Sequence, residues 1–466
     1  MRPLLLLPEI LLFVGGLAAL LGGSFLARDR QWVTRVVAAG ALVASMVVSV
    51  VGLAGPPQSA FEGTYAVDTA TGVARVVAAL GALLVLGVAG DELAGSARES
   101  ETYALLLFAT TGTVVLAGAR DLLVLAVAFL LASIPLYGLI GLVRTPRGAE
   151  AAMKTYLMGA LFGIVLLLGV TLLYGVTGST LHTDLAQRLP TAPAPVVAGG
   201  LLAVVVGLMF EAGGVPAHFW VPDAAQGANG TVSTFLTTVP KVGALVALYR
   251  LVIVLPDTIA WPVMIGLLAV VSMTLANLAA FWQQDPRRLL GWSTVSQVGF
   301  LLVPVAVAAH SALALPSLLL YLASYTVTNV AAFAVTTALP DRRDLADYRG
   351  LSGDRPWLAA PLLVALLGLV GTPPTVLFVG KLTTATAAWD GGMAWLTVAV
   401  FVNSLLSLFY FLRWIVPVFQ RGPVTATGGA VGTWSTATAT VTASVSVLLG
   451  VGAGAVWAAI SGPLLP

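Results

Sequence analysis

Fourteen apolar runs follow one another along the chain, with only short connections between them. The runs lie at about 4–26, 37–54, 69–89, 103–118, 122–142, 156–174, 195–213, 231–255, 261–282, 289–309, 315–339, 357–386, 393–412 and 435–460. A helix of about 20 apolar residues crosses the hydrocarbon core of a bilayer. The pattern therefore predicts an all-α polytopic membrane protein with about 14 transmembrane helices. The first run resembles a signal peptide, but its length and Glu9 favour an uncleaved span.

The composition excludes several classes of site. Charged residues make up 9% of the chain and apolar residues 59%, whereas soluble domains carry about 25% charge. No soluble domain is therefore predicted. Because the chain has no cysteine and only three histidines, thiolate zinc sites and cysteine-ligated iron–sulfur clusters are excluded, and no metal centre is expected. We expect no cofactor in this chain, and the dispersed net charge of +2 gives no indication of nucleic acid.

The basic residues divide unequally between the two sides of the predicted bundle. Of the 22 lysines and arginines, fifteen lie in odd-numbered connections and three in even-numbered ones. Connections rich in lysine and arginine stay in the cytoplasm. This asymmetry predicts a multi-pass protein of the bacterial inner (plasma) membrane with both termini in the periplasm.

Two of the apolar runs are interrupted next to ionisable residues. Glu211 ends one run, the Pro216–Gly230 stretch cannot continue a regular helix, and Lys241 lies inside the next run. In the second half, Gly-Thr-Pro-Pro at 371–374 precedes Lys381 by seven residues. A charge at such depth costs about 2.5–3.5 kcal/mol on insertion scales, so it indicates function. Interrupted segments in corresponding places of two halves are typical of a transport site.

The use of lysine points to proton chemistry. Only three of the 22 basic residues are lysines, and two of them are Lys241 and Lys381. A buried lysine can lose its proton, whereas arginine cannot. We therefore interpret Glu211, Lys241 and Lys381 as proton-transfer residues. The alternative is that Glu211 and Lys241 form a buried pair that only fixes helix packing.

Other polar residues form a weaker set of candidates. His218, in the first interruption, can relay a proton or can be held by backbone groups. Six residues with a hydroxyl or amide side chain lie between Lys241 and Lys381 in the sequence. They can line a hydrated path between the two lysines or make packing contacts between helices. These residues are Ser293, Ser296, Tyr321, Tyr325, Thr326 and Asn329. Glu9 and Arg75 are expected to face partner helices or to snorkel.

Several stretches carry a family resemblance. They are ESETYALLLFATTGTVVLAGARDLLVLAVAFLLASIPLYGL at 99–138, EAAMKTYLMGA at 150–160, GVPAHFWVPDAAQGA at 214–228, DPRRLLGWSTVSQVGFLLV at 285–303, DLADYRGLSGDRPWLA at 344–359 and GLVGTPPTVLFVGK at 368–381. In this order they resemble the antiporter-like membrane subunits of complex I, in particular the subunit N family of NADH-quinone oxidoreductase. The resemblance extends from about residue 8 to residue 420.

The resemblance implies two inverted five-helix repeats with broken helices 7 and 12. It implies a domain organisation of three N-terminal helices (1–98), a first repeat (99–255), a second repeat (256–420) and a C-terminal helix (421–466). Lys241 and Lys381 match the lysines that the family carries on spans eight and twelve. Three positions depart from the family pattern: Leu130 replaces a span-five glutamate, Glu211 replaces a span-seven lysine, and Gln297 stands where many members have histidine.

Three functions remain open at this stage. The first is a proton-translocating, non-redox subunit of NADH-quinone oxidoreductase, or of a relative without the NADH module. Its quinone, flavin and iron–sulfur clusters would lie in partner subunits, and its partners would include the other subunits of the membrane arm. The second is a subunit of a multi-subunit cation/proton antiporter. The third is a structural membrane-arm subunit that has lost proton pumping. Without an acid at Leu130 the family's charge pair cannot form. Proton transfer is then either rerouted through Glu211 and Lys241 or lost.

The predicted orientation can be tested by labelling single cysteines in this cysteine-free chain. We expect Ser352→Cys, in the connection rich in arginine, to be protected from an impermeant thiol reagent in intact cells and labelled after permeabilisation. Labelling of Ser352→Cys in intact cells would contradict the orientation. A cysteine in a predicted periplasmic connection, such as Ser179→Cys, serves as the positive control.

Overall fold

The computed structural model describes residues 2–256, 259–421 and 431–465 of the 466-residue chain. Those residues form nineteen α-helices and one short hairpin. The helices are α1 (Leu7–Phe25), α2 (Trp32–Leu53), α3 (Thr69–Glu92), α4 (Glu99–Gly118), α5 (Leu122–Gly141), α6 (Pro146–Thr177), α7 (His182–Arg188), α8 (Ala194–Ala212), α9 (Trp220–Gly227), α10 (Gly230–Val252), α11 (Trp261–Ala280), α12 (Pro286–Ala306), α13 (Ala314–Ala338), α14 (Leu351–Asp354), α15 (Pro356–Val370), α16 (Val376–Asp390), α17 (Ala394–Phe419), α18 (Thr433–Val451) and α19 (Ala453–Ile460). The antiparallel hairpin pairs β1 (Gln58–Ala60) with β2 (Tyr65–Val67).

The predicted membrane class and helix number are confirmed. Thirteen helical segments within the described ranges are long and apolar enough to cross a membrane. The remaining predicted span, 357–386, is divided into α15 and α16, each of 15 residues. Short 3₁₀ turns at Pro3–Leu6, Arg28–Arg30, Phe61–Gly63, Leu189–Thr191 and Leu345–Tyr348 complete the helical structure.

Two glycines end the helices that the sequence predicts to be broken. Gly213 (φ 79°) follows α8, and Gly371 (φ 92°) follows α15. A left-handed residue after the last turn stops a helix, and glycine adopts this conformation without steric cost. We call residues 213–219 the first break and residues 371–375 the second break. The prolines in each break have no N–H to donate, so the interrupted helices do not rejoin there.

Three helices form the centre of the bundle. The apolar segment of α10 is entirely buried, and those of α12 and α13 are almost entirely buried. By contrast, α2, α6 and α17 expose large apolar side chains such as Val51, Leu161 and Phe401. These exposed side chains suit contact with lipid or with other membrane helices. The centre of the bundle is therefore separated from lipid by an outer ring of helices.

Glycines allow close approach of helices in the first half of the bundle. A Cβ at Gly112 of α4 would lie 2.2 Å from the backbone nitrogen of Ala132 in α5. A Cβ at Gly243 of α10 would lie 2.3 Å from the carbonyl oxygen of Thr113 in α4. Small residues at such crossings let helix backbones meet and gain dispersion contacts. These contacts hold α4 between α5 and α10.

Glu9 and Arg75 bind each other, which corrects the expectation that they face partner helices or snorkel. The Arg75 Nε donates to Glu9 Oε1 at 2.8 Å, and Nη2 donates to Glu9 Oε2 at 2.9 Å. Tyr65 of the hairpin also donates to Glu9, at 2.6 Å. The pair is buried and bidentate, a geometry that fits arginine and carboxylate well. It ties α1, α3 and the hairpin together.

A second buried ion pair lies where α3 begins and α10 ends. Arg250 donates to both carboxylate oxygens of Asp68, which also caps α3 through Thr71 N. Burial opposes ionisation of Asp68, but the Arg250 guanidinium together with hydrogen bonds from the backbone amides of Leu465 and Thr71 keeps the pKa of this carboxyl below its usual value. Burial, followed by Arg250 and Arg120, lowers the pKa of nearby His182 to about 3, so this histidine is neutral.

The buried Glu9–Arg75 pair leads to a prediction about the stability of the complex. Removing one partner of such a pair leaves an unpaired charge and costs about 3–5 kcal/mol. We therefore expect Arg75→Met to lower the thermal unfolding temperature of the detergent-purified complex markedly. Glu9→Gln combined with Arg75→Met should recover part of that loss.

Arg98→Met is the matched control, because Arg98 pairs with Glu101 on the surface and such pairs contribute little. If Arg75→Met and Arg98→Met unfolded at the same temperature, the Glu9–Arg75 pair would not hold the N-terminal helices.

Candidate functional site

Lys241 lies at the centre of the bundle with no exposed surface. Its ammonium donates a hydrogen bond to the carbonyl oxygen of Leu236, one turn earlier in α10, at 2.6 Å. The Nζ atom also lies 5.2 Å from the centre of the Trp220 ring, in a cation–π contact. A Cβ at Gly213 would come within 3.5 Å of Nζ. The first break therefore packs directly against the end of this lysine.

Glu211 occupies the last turn of α8, immediately before the first break. Ser133 of α5 donates to its Oε2 at 2.5 Å, whereas its Oε1 has no hydrogen-bond partner. The C-terminal end of a helix favours a cation, so an acid there needs other donors. Ser133 provides one. Sequence reasoning missed Ser133, although it is one of two residues with a hydroxyl in the otherwise apolar α5.

The structure does not form the direct Glu211–Lys241 pair that the sequence suggested. Both residues belong to the described ranges, and their partners are Ser133 and the Leu236 carbonyl instead. Leu130, where the family's acid is expected, is 41% exposed on the outer side of α5. Ser133, about one turn further along α5, is the residue that reaches Glu211.

Lys381 is held by the end of the preceding half-helix. Its ammonium donates to the carbonyl oxygens of Leu369 and Val370 at 3.0 and 2.9 Å. These carbonyls belong to the last turn of α15, where the helix dipole favours a cation. The Nζ atom also lies 4.0 Å from the centre of the Phe300 ring. Both lysines thus bind backbone oxygens beside an aromatic ring.

Gln297 connects the Lys381 site to α13. Its Nε2 donates at 2.9 Å to the same Leu369 carbonyl that Lys381 uses, and its Oε1 accepts from Tyr321. Sequence comparison singled out Gln297 only as a departure from histidine. The structure places it in direct contact with the acceptor of Lys381.

A second group of hydrogen bonds connects α10 to α12 and α13. Tyr325 donates to the carbonyl oxygen of Thr237 at 2.7 Å and to Thr294 at 3.0 Å. Asn329 donates to the Thr237 hydroxyl at 3.0 Å. Thr237 lies one turn before Lys241, and Thr294 lies one turn before Gln297. Polar contacts therefore extend from near Lys241 to near Lys381, and Thr237 and Thr294 were missed because hydroxyls are common in packed membrane helices.

The other sequence candidates differ in their contacts. Ser293 and Ser296 have buried hydroxyls without a hydrogen-bond partner. Thr326 donates to Leu322 in its own helix, and its methyl group approaches Gly81, so it makes a packing contact. His218 is buried against Phe219 and Trp292. Buried polar atoms of this kind are where ordered water binds in proteins.

A charged cluster anchors α9, which follows the first break. Asp223 accepts from Lys154 of α6 at 2.8 Å and from Arg288 of α12. Glu150 also pairs with Lys154. One carboxylate therefore joins α6, α9 and α12.

The class of the protein follows from the broken spans, the buried lysines and a family comparison. Residues 119–407 match the family model described as NADH:quinone oxidoreductase/Mrp antiporter, TM. The fold is similar to a chain of the Mrp complex from a Dietzia species, with a TM-score of 0.85 and 22% identity over 98% of this chain and 96% of that one. At that identity the likeness concerns the fold alone.

Two more similar proteins define the family. NADH-quinone oxidoreductase subunit N from a Mycobacterium species (strain JLS) is 65% identical over 99% of both chains. A chain of respiratory complex I from Thermus thermophilus is 32% identical and superposes with a TM-score of 0.84, over 98% of this chain and all of that one. The chain belongs to the NADH-quinone oxidoreductase subunit N family, and this agrees with the resemblance found in the sequence.

Substitution of a glycine in the second break can separate the effect of backbone strain from the effect of contact with Lys381. A Cβ at Gly371 would meet the Lys381 Cδ at 2.7 Å, whereas a Cβ at Gly392 would meet nothing within 4 Å. Both glycines have positive φ, so alanine costs about 1–2 kcal/mol of strain at either position. We expect only Gly371→Ala to lower proton pumping severalfold per NADH oxidised in reconstituted vesicles. Equal pumping by the two variants would show that the position of Lys381 does not matter.

Proposed function

We propose that this chain is a proton-translocating membrane subunit of a respiratory NADH-quinone oxidoreductase, in which proton transfer is coupled to quinone reduction in partner subunits. It would act as a non-redox part of a translocase. The observation that carries the proposal is the placement of two buried lysines on backbone oxygens next to helix irregularities. Family membership supports the same assignment.

Each lysine can exchange a proton without large movement of its helix. The ammonium form donates to Leu236 at one site, and to Leu369 and Val370 at the other. Charge-assisted hydrogen bonds of this kind stabilise a cation in a medium of low dielectric constant. The neutral amine needs fewer acceptors, so the ammonium can release a proton to water admitted at the break and remain in place as the amine. The second break thereby provides both the acceptors of Lys381 and an opening for water, whereas Lys241 takes its acceptor from α10 and only the opening from the first break.

Glu211 is the acid of the first site in this proposal. It lies near Lys241 without direct contact, and only one of its carboxylate oxygens is bound. The free oxygen can accept a proton and later return it to a water molecule that reaches Lys241. The hydrogen bonds of Thr237, Tyr325, Thr294 and Gln297 would then connect this site to Lys381, with Ser296, Tyr321 and His218 as further relay positions.

The environment of the chain is part of the proposal. We assign the quinone, flavin and iron–sulfur clusters to partner subunits, because a chain without cysteine cannot ligate such clusters through thiolates. The exposed apolar faces of the outer helices would contact lipid and other membrane-arm subunits. Both termini would be periplasmic, and the divisions 1–98, 99–255, 256–420 and 421–466 would be its structural units.

Two observations favour other functions. The fold likeness to an Mrp complex chain is compatible with a cation/proton antiporter subunit. The apolar Leu130 and the absence of a direct Glu211–Lys241 contact in the described part of the chain favour a structural subunit without proton transfer. The structural subunit differs from the other two functions in one measurable property, which is whether removing Glu211, Lys241 or Lys381 changes proton movement.

The test uses single substitutions in the assembled complex. Glu211→Gln keeps the shape and can still bind Ser133, but it cannot carry a proton. We expect it to lower proton pumping per NADH oxidised about as much as Lys241→Ala, and we expect Lys381→Ala to lower pumping as well. The losses of Glu211→Gln and Lys241→Ala should not add in the double variant, because both residues act in one site. Leu130→Ala is the control, since Leu130 lies on the outer side of α5.

Three outcomes separate the functions. Parent-like pumping by all three single variants at normal assembly would exclude proton transfer through this chain and favour the structural subunit. Sodium-dependent proton movement by the purified complex that contains this chain would favour the antiporter. Parent-like pumping by Glu211→Gln alone would remove Glu211 from the path and leave the lysines in it.

A further inference from the structure

The centre of α10 contains a proline directly before its buried lysine. Pro240 lies inside the helix and has no backbone N–H, so the carbonyl four residues earlier loses its helical partner. That carbonyl belongs to Leu236, and it accepts instead from the Lys241 ammonium at 2.6 Å. The hydrogen bond that proline removes from the helix is thus replaced by the neighbouring side chain.

The second repeat reaches the same chemistry by another route. Lys381 binds the Leu369 and Val370 carbonyls, which lack helical partners because α15 ends there at Gly371. In both repeats a lysine binds backbone oxygens that no backbone amide satisfies. The first repeat obtains such an oxygen inside a continuous helix, and only proline can provide it there.

We propose that Pro240 is a positioning residue for proton exchange at Lys241, because it reserves the Leu236 carbonyl for the lysine ammonium. This inference rests on the proposed function of Lys241. With any other residue at 240, the backbone N–H would bind Leu236, and the ammonium would have to share or lose its acceptor. An ammonium without an acceptor is costly in an apolar interior.

The surroundings of Lys241 leave little choice of another acceptor. The α10 segment is buried along its whole length. The Trp220 ring covers one side of the ammonium, and Gly213 and its neighbours pack close by. Glu211 lies on the adjacent α8 without direct contact to the ammonium; its Oε2 is bound to Ser133, and its free Oε1 belongs to a residue next to the first break. A displaced ammonium would therefore move towards the first break, away from the position from which it donates to Leu236.

The test is a double-mutant cycle in the assembled complex. We expect Pro240→Ala to lower proton pumping per NADH oxidised to the level of Lys241→Ala. The double variant Pro240→Ala/Lys241→Ala should pump no worse than Lys241→Ala alone, because both changes act through one interaction. The control is Pro304→Ala in α12, which also removes a buried proline inside a helix but is followed by Val305, so we expect parent-like pumping.

A further variant separates the free carbonyl from the bend of the helix. Val239→Pro/Pro240→Ala keeps one proline in α10 but frees the Phe235 carbonyl instead of Leu236, about 100° around the helix. We expect this variant to pump as poorly as Pro240→Ala. Every variant is compared at equal assembly, which is measured as NADH oxidation with quinone by the purified complex. If Pro240→Ala does not assemble, it is replaced by Pro240→Ser, which also restores the backbone N–H at position 240.

Each other outcome has a defined meaning. If Pro240→Ala or Val239→Pro/Pro240→Ala pumps like the parent while Lys241→Ala does not, the positioning role of Pro240 is wrong and the function of Lys241 stands. If the losses in the double variant add, Pro240 acts through the shape of α10 and not through Lys241, and the proposal is also wrong. If Lys241→Ala itself pumps like the parent, the proposed function of Lys241 fails first.

Discussion

The bilayer requires every backbone polar group within it to find a partner inside the protein, and this requirement organises the whole structure. Most of the described spans satisfy it through the hydrogen bonds of regular helices. Exceptions occur at the ends of α8 and α15 and at prolines inside helices, such as Pro240 in α10, where carbonyl oxygens lose their amide partners. At the end of α15 and at Pro240, a lysine ammonium replaces the amide. At these two places the irregular backbone and the buried charge therefore compensate each other.

The same constraint explains how the two halves of the bundle differ. In the second half, the lysine follows the break and reaches back to the end of the preceding half-helix. In the first half, the residue before the break is Glu211, which a helix C-terminus does not favour, and its hydrogen bond comes from Ser133 on another helix. Lys241 then depends on its own helix for an acceptor. The first site is thus assembled from α5, α8 and α10, whereas the second depends mainly on the two halves of one span.

Much of this arrangement was predictable from the sequence because it rests on local properties. Apolar runs identified the spans, glycine and proline identified the breaks, and Glu211, Lys241 and Lys381 stood out as charges in apolar surroundings. The partners of these residues were not predictable. Ser133 and the Glu9–Arg75 pair depend on how each helix is rotated about its axis, and a helix that is apolar on all sides carries no periodic signal for that rotation. The outward position of Leu130 was missed for the same reason.

The complete burial of α10 has a consequence for biosynthesis. This helix carries Lys241, Arg250, Pro240 and several threonines, so it is poorly suited to lie alone in lipid. Its N-terminal amides bind Glu92 at the end of α3, and Arg250 at its other end binds Asp68 at the start of α3. Because α3 is synthesised first, it can receive both ends of α10 as that helix leaves the ribosome. Partners for both ends of this polar span are therefore present in the chain before its second half is synthesised.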